Sequence, residues 1–193
     1  MNIPNKLTVA RIIATPVFMA TMLINFKGHC IVSLLIFIAA SLTDLIDGKL
    51  ARKYHLVTDF GKFLDPLADK MLTTAAYLGF IDIIGGRLRW QIIAITFIVL
   101  FREFLVSSLR LTVVSSGGKV IAANIWGKSK TVSQMVGIIA ALAAYSAVEI
   151  FGIKNTFPID VGVIVLFWIS AVLCVISGAV YLRDSKSCIN TSK

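Results

Sequence analysis

The sequence predicts an all-α polytopic membrane protein with six transmembrane helices, formed as one domain over residues 1–193. Three observations carry that prediction. Hydrophobic residues make up 58% of the chain and charged residues 15%, where a soluble domain carries roughly 25% charged. Mean hydropathy is +0.88. Residues 12–26, 28–43, 131–148 and 161–182 contain no Lys, Arg, Asp or Glu. A soluble globular domain and a disordered chain are both excluded, and nothing is left over for a separate soluble module.

The elements follow in chain order. The stretch 12–26 opens after Lys6 and Arg11 in the manner of a signal peptide, but no small-x-small cleavage site follows and a second apolar run begins almost at once. It is therefore read as the first helix. Lys27-Gly28-His29 makes a tight connection to the second, over 28–43. Both reach spanning length only by borrowing residues at their ends, since a spanning helix needs about 20 residues. Two further apolar segments, about 60–84 and 90–112, are interrupted: Asp65, Asp69 and Lys70 sit in one, Arg102, Glu103 and Arg110 in the other. Gly85-Gly86 separates them. Ser115 to Gly127, with Gly117-Gly118, is expected as a longer polar loop, and residues 152–160 (GIKNTFPID) as the link between the last two helices. Helices satisfy their own backbone polar groups, which the bilayer interior requires.

Charge gives the orientation. The formal net charge is +9. Of nineteen Lys and Arg, four (Lys27, Arg87, Arg89 and Lys154) fall on one side and Arg102 lies between, which leaves fourteen on the side of both termini. Basic residues collect in cytoplasmic loops, so both termini are expected inside, in a multi-pass protein of the cell membrane. The same excess belongs to a membrane rim and does not call for a nucleic-acid partner. Cys30, Cys174 and Cys188 lie far apart with no C-x-x-C pair, so their spacing suggests neither a disulfide framework nor a thiolate zinc site. His29 and His55 read as isolated.

The chemistry concentrates between residues 41 and 70, SLTDLIDGKLARKYHLVTDFGKFLDPLADK. Asp44, Asp47, Gly48 and Ala51 stand at i, i+3, i+4 and i+7, one face of a helix. Gly61, Asp65 and Asp69 repeat at i, i+4 and i+8 on the next. A helical hairpin brings these faces together, so four carboxylates share one small volume. Like charges there repel, and desolvation raises the penalty. Divalent cations resolve the conflict, and an oxygen-only ligand set selects a hard ion, Mg2+ or Mn2+. Two ions about 3.5–4 Å apart serve phosphoryl displacement. Gly48, Ala51 and Gly61 leave room for a flat or phosphorylated ligand. Asp59 falls off the stripe and reads as solvated, as do Asp82, Glu149, Asp160 and Asp184 at the ends of spans.

Asp44-x-x-Asp47-Gly48-x-x-Ala51-Arg52, eight residues, then Gly61-x-x-x-Asp65-x-x-x-Asp69, resembles the full signature of the CDP-alcohol phosphotransferases. It fixes eight residues across 26 positions. The resemblance implies a six-helix membrane enzyme, a homodimer in many members, that moves a phosphatidyl or similar group from a CDP-linked donor to an alcohol and releases CMP. It implies that Asp44, Asp47 and Asp65 ligate two divalent ions, and that Asp69 is the general base as well as a ligand. Asn5-x-x-Thr8-x-x-Arg11 resembles the opening motif of members that act on glycerol 3-phosphate. Arg102-Glu103, the following Ser107 to Arg110, and Trp126 to Thr131 resemble the same members. The resemblance runs from residue 5 to about 135.

Physical reasoning agrees on the acceptor. Arg102 lies well inside a span, where an ionisable side chain is expensive and usually functional, although an ion pair with Glu103 is the structural alternative. Arg102 and Arg110 are eight residues apart, about 80° around a helix, so both can border one cavity. With Arg11, Lys128 and Lys130 they make the expected glycerol-phosphate pocket. CDP-diacylglycerol is then expected over Gly48, Ala51 and Gly61, with Arg52, Asn5 and Thr8 as donors. The expected partners are CDP-diacylglycerol, glycerol 3-phosphate and the bilayer. Two other readings stay open: the same chemistry on another alcohol, such as inositol phosphate or phosphatidylglycerol, and a divalent-cation transporter. A transporter needs carboxylates near mid-bilayer, whereas these cluster at one rim. A passive scaffold leaves the Asp/Gly/Ala stripes unexplained.

Overall fold

The computed structural model describes residues 2–53, 59–115 and 125–185. Among them are six α-helices: α1 (Ile3–Leu23), α2 (His29–Lys53), α3 (Asp59–Ile83), α4 (Arg89–Ser115), α5 (Ile125–Phe151) and α6 (Phe157–Ser185). A single 3₁₀ turn, Gly86–Leu88, precedes α4. No strand occurs among the described residues.

Helix boundaries differ from the expected ones in three places, each for a local reason. α1 begins at Ile3 and takes in Asn5, Thr8 and Arg11, because Pro4 sits in its first turn, where a missing N–H is harmless. It ends at Leu23, so residues 24–26 belong to the connection, which turns on Gly28 at φ +89°. The expected polar loop 115–127 is shortened, since α5 already starts at Ile125. Lys130, Gln134, Gly137, Ile138, Ala141, Leu142 and Tyr145 form its buried stripe. That stripe has helical spacing, and it begins at Lys130, one residue before the charge-free run 131–148 that marked the expected helix. Gly117-Gly118 lie outside the described residues. The last link is shortened too: α6 begins at Phe157, with Pro158 in its first turn and Asp160 accepting from the Thr156 hydroxyl at 3.2 Å.

Four helical stretches are long and apolar enough to cross a membrane: Asn5–Leu23, Gly86–Thr112, Ile125–Phe151 and Phe157–Asp184. α2 contributes a shorter apolar part, His29–Asp44. α3 does not qualify, because Asp65, Asp69 and Lys70 interrupt its first half. The described residues are therefore helical throughout their regular structure and carry four candidate spans by length and composition, consistent with a polytopic membrane protein.

α1 packs on α2 and α3, α2 on α5, and α4 and α5 on α6, while α3 also meets α4 and α5. Van der Waals fit has to hold such helices together in lipid, so small residues mark close crossings. Gly79 of α3 is one: a Cβ there would stand 2.6 Å from the Met22 sulfur of α1. The core between the helices holds Phe18, Phe37, Tyr77, Phe80 and Phe167. Tyr77 and Phe80 of α3 each set a ring edge against Phe167 of α6, with centroids 5.1 Å apart. Phe97, Phe101 and Phe104 of α4 point outward, as a lipid-facing surface requires. Pro66 lies inside α3, which continues through it.

Candidate active site

α2 and α3 bring three of the four predicted carboxylates to one cavity. Asp44 stands on α2, Asp65 and Asp69 on α3, and all three line a cavity of about 700 Å³. Asp47, Gly48, Ala51 and Arg52 lie on the same helix as Asp44, but their side chains are outside the described residues. Gly61 is buried near the start of α3.

α1 supplies the partners of these carboxylates. Thr8 and Arg11 are three residues apart and so share a face. The Thr8 hydroxyl donates to Asp65 Oδ1 at 2.6 Å. Arg11 Nη1 donates to Asp44 Oδ1 at 2.5 Å. Arg11 is only 2% exposed, and Asn5 and Thr8 are also buried. Sequence reasoning expected Arg11 at the acceptor phosphate and Thr8 at the donor lipid. In the folded chain both touch the carboxylates directly.

Cations line the same cavity. Arg102 and Arg110 of α4 and Lys128 and Lys130 of α5 line it, as expected, and Lys70 of α3 joins them. These cations are not equivalent. Arg102 donates through Nη2 to the Ser177 hydroxyl at 2.7 Å, and its Nη1 lies 3.6 Å from Glu103 Oε1. Lys130 is buried and ion-paired with the same Glu103 oxygen. Lys70 is hydrogen-bonded to the Ser107 hydroxyl, which itself donates to the Glu103 carbonyl at 2.6 Å. The Arg110 guanidinium lies 6.0 Å from the centroid of the Tyr181 ring, a cation–π distance. Glu103 therefore organises the cations as well as partly neutralising them.

Several of these residues were not legible beforehand. Ser177, Gly178 and Tyr181 belong to α6, whose sequence shows little beyond hydrophobicity. Gly178 lets Arg102 pass, since a Cβ there would lie 3.0 Å from Arg102 Cγ. The only early signal was a pair of small residues, Ser177-Gly178, in an otherwise bulky run. Asp184, expected to be solvated, also lines the cavity.

The donor chemistry suits a hard divalent cation, because the described aspartates offer only oxygen. Arg11 and Thr8 each engage one oxygen of their partner, and a carboxylate accepts at about four lone-pair positions. Among the described residues, however, the one set of three ligand atoms within 4.8 Å of one another is His29, Cys30 and Glu149, at the far end of α2.

A cavity lined by both aspartates and cations suits a pyrophosphate donor and an anionic acceptor. Comparison with known proteins points the same way. The CDP-alcohol phosphatidyltransferase family pattern matches residues 1–180. The chain is 37% identical over 207 aligned residues to the CDP-diacylglycerol–glycerol-3-phosphate 3-phosphatidyltransferase of Bacillus subtilis (strain 168), covering 99% of this chain and 98% of the relative. It is 36% identical over 190 residues to the protein of the same name from Rickettsia bellii (strain RML369-C), covering 96% of each. A plant relative, CDP-diacylglycerol–glycerol-3-phosphate 3-phosphatidyltransferase 2 of Arabidopsis thaliana, is 31% identical over 191 residues, covering 95% of this chain and 79% of its own. Since the family pattern runs through every helix that lines the cleft, this chain belongs to the CDP-alcohol phosphatidyltransferase family.

Proposed function

We propose that the chain transfers the phosphatidyl group of CDP-diacylglycerol to the primary hydroxyl of sn-glycerol 3-phosphate, giving phosphatidylglycerophosphate and CMP. The observation that carries this reading is one cleft lined by Asp44, Asp65 and Asp69 together with Arg102, Arg110, Lys128 and Lys130. The names of the relatives support the same donor and acceptor. An acceptor that already bears a phosphate needs cations away from the reacting hydroxyl; choline or ethanolamine does not.

The roles follow from placement. Asp44, Asp47, Asp65 and Asp69 would hold two Mg2+ or Mn2+ ions, which would withdraw charge from the pyrophosphate. Arg11 and Thr8 orient Asp44 and Asp65 by the hydrogen bonds described above. Arg52 and Asn5 complete the donor-lipid side, over the small surfaces of Gly48, Ala51 and Gly61. Arg102, Arg110 and Lys128 hold the acceptor phosphate, with Lys130 kept in place by Glu103. Asp69 takes the proton of the primary hydroxyl. The freed oxygen attacks the phosphorus that carries diacylglycerol, that P–O bond forms, and the bond to CMP breaks. No covalent enzyme intermediate is needed.

The same proposal has all six helices crossing the cell membrane, with both termini and the cleft cytoplasmic, in a homodimer. The basic-residue asymmetry supports the orientation, and the family resemblance is the basis for six crossings and the homodimer. The test is an assay of the purified chain in detergent with CDP-diacylglycerol, Mg2+ or Mn2+ and a panel of alcohols, scoring CMP release. Glycerol 3-phosphate should be the productive acceptor. Preference for inositol phosphate or phosphatidylglycerol would reassign the substrate, and divalent-cation flux in liposomes without CMP release would reassign the class.

A further inference from the structure

At the other end of α2 stands a group of side chains that the transfer reaction does not use. His29 and Cys30 open α2, and Glu149 lies in the last turn of α5. One ligand atom from each lies within 4.8 Å of the other two. His29 Nε2 is 3.5 Å from Glu149 Oε1 and 3.7 Å from Cys30 Sγ. A tetrahedral zinc ion with bonds of about 2.3 Å to sulfur and 2.0–2.2 Å to nitrogen and oxygen separates its ligand atoms by roughly 3.4–3.6 Å. These two spacings match that within small side-chain movements, the third is within 4.8 Å, and Cys30 Sγ lies 3.8 Å from His29 Nδ1 as well.

The surroundings favour a ligand set. Glu149 is held by two backbone donors, Gly28 N–H to Oε1 at 3.2 Å and Cys30 N–H to Oε2 at 3.0 Å. Such outer hydrogen bonds fix the orientation of a ligating carboxylate and leave its remaining lone pairs for an ion. The three residues border a cavity of about 290 Å³ that Asp82, Asn25 and Thr156 also line. That leaves space for a fourth ligand, water or the Asp82 carboxylate. The mixed N, S and O donors differ in kind from the all-oxygen aspartates. Fifteen positions along α2 separate His29 from Asp44, about 22 Å at 1.5 Å per residue.

We propose that His29, Cys30 and Glu149 form a second cation site, selective for Zn2+ over Mg2+, that ties the start of α2 to the end of α5. Thiolate and imidazole donors select a borderline-soft ion. On binding, Cys30 gives its proton to solvent and the imidazole stays neutral, so affinity falls as pH falls. This inference is independent of the acceptor assigned above.

The test titrates Co2+, as a spectroscopic stand-in for Zn2+, into the chelator-treated full chain in detergent. One equivalent should bind with a thiolate-to-cobalt charge-transfer band, displaced by Zn2+ but not by excess Mg2+. Cys30→Ser should abolish the band. His29→Asn, which leaves the Glu149 cap on α2 intact, should weaken binding at least tenfold, the scale on which even outer-shell losses are felt. A Cys174→Ser/Cys188→Ser double variant and Asp44→Asn should keep the band. His29→Asn should release CMP at the wild-type rate. Absence of the band in the wild type, or its survival in Cys30→Ser or undiminished in His29→Asn, overturns the proposal.

Discussion

Arg11 of α1 donates through Nη1 to Asp44 Oδ1 of α2 at 2.5 Å, with the arginine buried and the aspartate side chain 32% exposed. Three residues earlier on the same helical face, Thr8 holds Asp65 of α3. α1 is thereby a brace that fixes the carboxylates of both other helices from one side. Breaking a fully buried pair costs roughly 3–5 kcal/mol. Partial exposure of Asp44 reduces that to about 1–3 kcal/mol. Arg11→Ala should lower the unfolding midpoint in detergent accordingly and cut CMP release at least tenfold. Arg11→Lys keeps the charge but loses the planar fork, so it should recover part of the stability and less of the activity. Wild-type stability in Arg11→Ala would remove the brace.

The aspartates should separate by role. Asp44→Asn, Asp47→Asn and Asp65→Asn are expected to abolish turnover, and EDTA should reproduce their effect in the wild type. Asp69→Asn should still bind CDP-diacylglycerol while losing at least about 10²-fold in rate, the usual scale for a lost general base. Turnover by Asp47→Asn in EDTA would contradict the two-ion account, and an unchanged Asp69→Asn rate would move the base elsewhere.

Gly178 gives a test of the Arg102 placement. A methyl at this position would sit 3.0 Å from Arg102 Cγ, close enough to shift the side chain by a few tenths of an ångström. Gly178→Leu would displace it outright. The expected result is a graded rise in KM for glycerol 3-phosphate: small for Gly178→Ala, about tenfold for Gly178→Leu, which matches the loss of one charged hydrogen bond. KM for CDP-diacylglycerol should move little. An unchanged acceptor KM in Gly178→Leu would show that Arg102 is not held by α6.

The nearness of Asp65 and Asp69 was readable because helical periodicity alone puts them on one face, while the Asp47 side chain lies outside the described residues. Arg102 and Arg110 were readable because charge inside an apolar run is conspicuous. What was hidden depended on crossings between distant segments. Nothing near residue 11 says that its partner is Asp44 rather than a substrate phosphate; the packing of α1 on α2 decides it. Ser177 lies 75 positions from Arg102, and its hydroxyl in an apolar helix carries no sequence signal. The start of α5 was concealed because Lys128 and Lys130 end the charge-free run at residue 131, yet Lys130 faces the interior. Cys30 and His29 looked idle for the same reason, since Glu149 reaches them from 119 positions away.

The cations of the cleft should read a phosphate on the acceptor. The most direct measurement compares kcat/KM for glycerol 3-phosphate and for glycerol in the wild type and in Arg102→Ala. A charged hydrogen bond in a shielded pocket is worth roughly 1.5–3 kcal/mol, or about 10–100-fold. The account predicts that glycerol is a very poor substrate for the wild type, and that Arg102→Ala narrows the gap by that factor by weakening glycerol 3-phosphate alone. Equal use of the two alcohols by the wild type would contradict it. So would an Arg102→Ala effect of the same size on both, which would make Arg102 only a structural partner of Glu103 and Ser177.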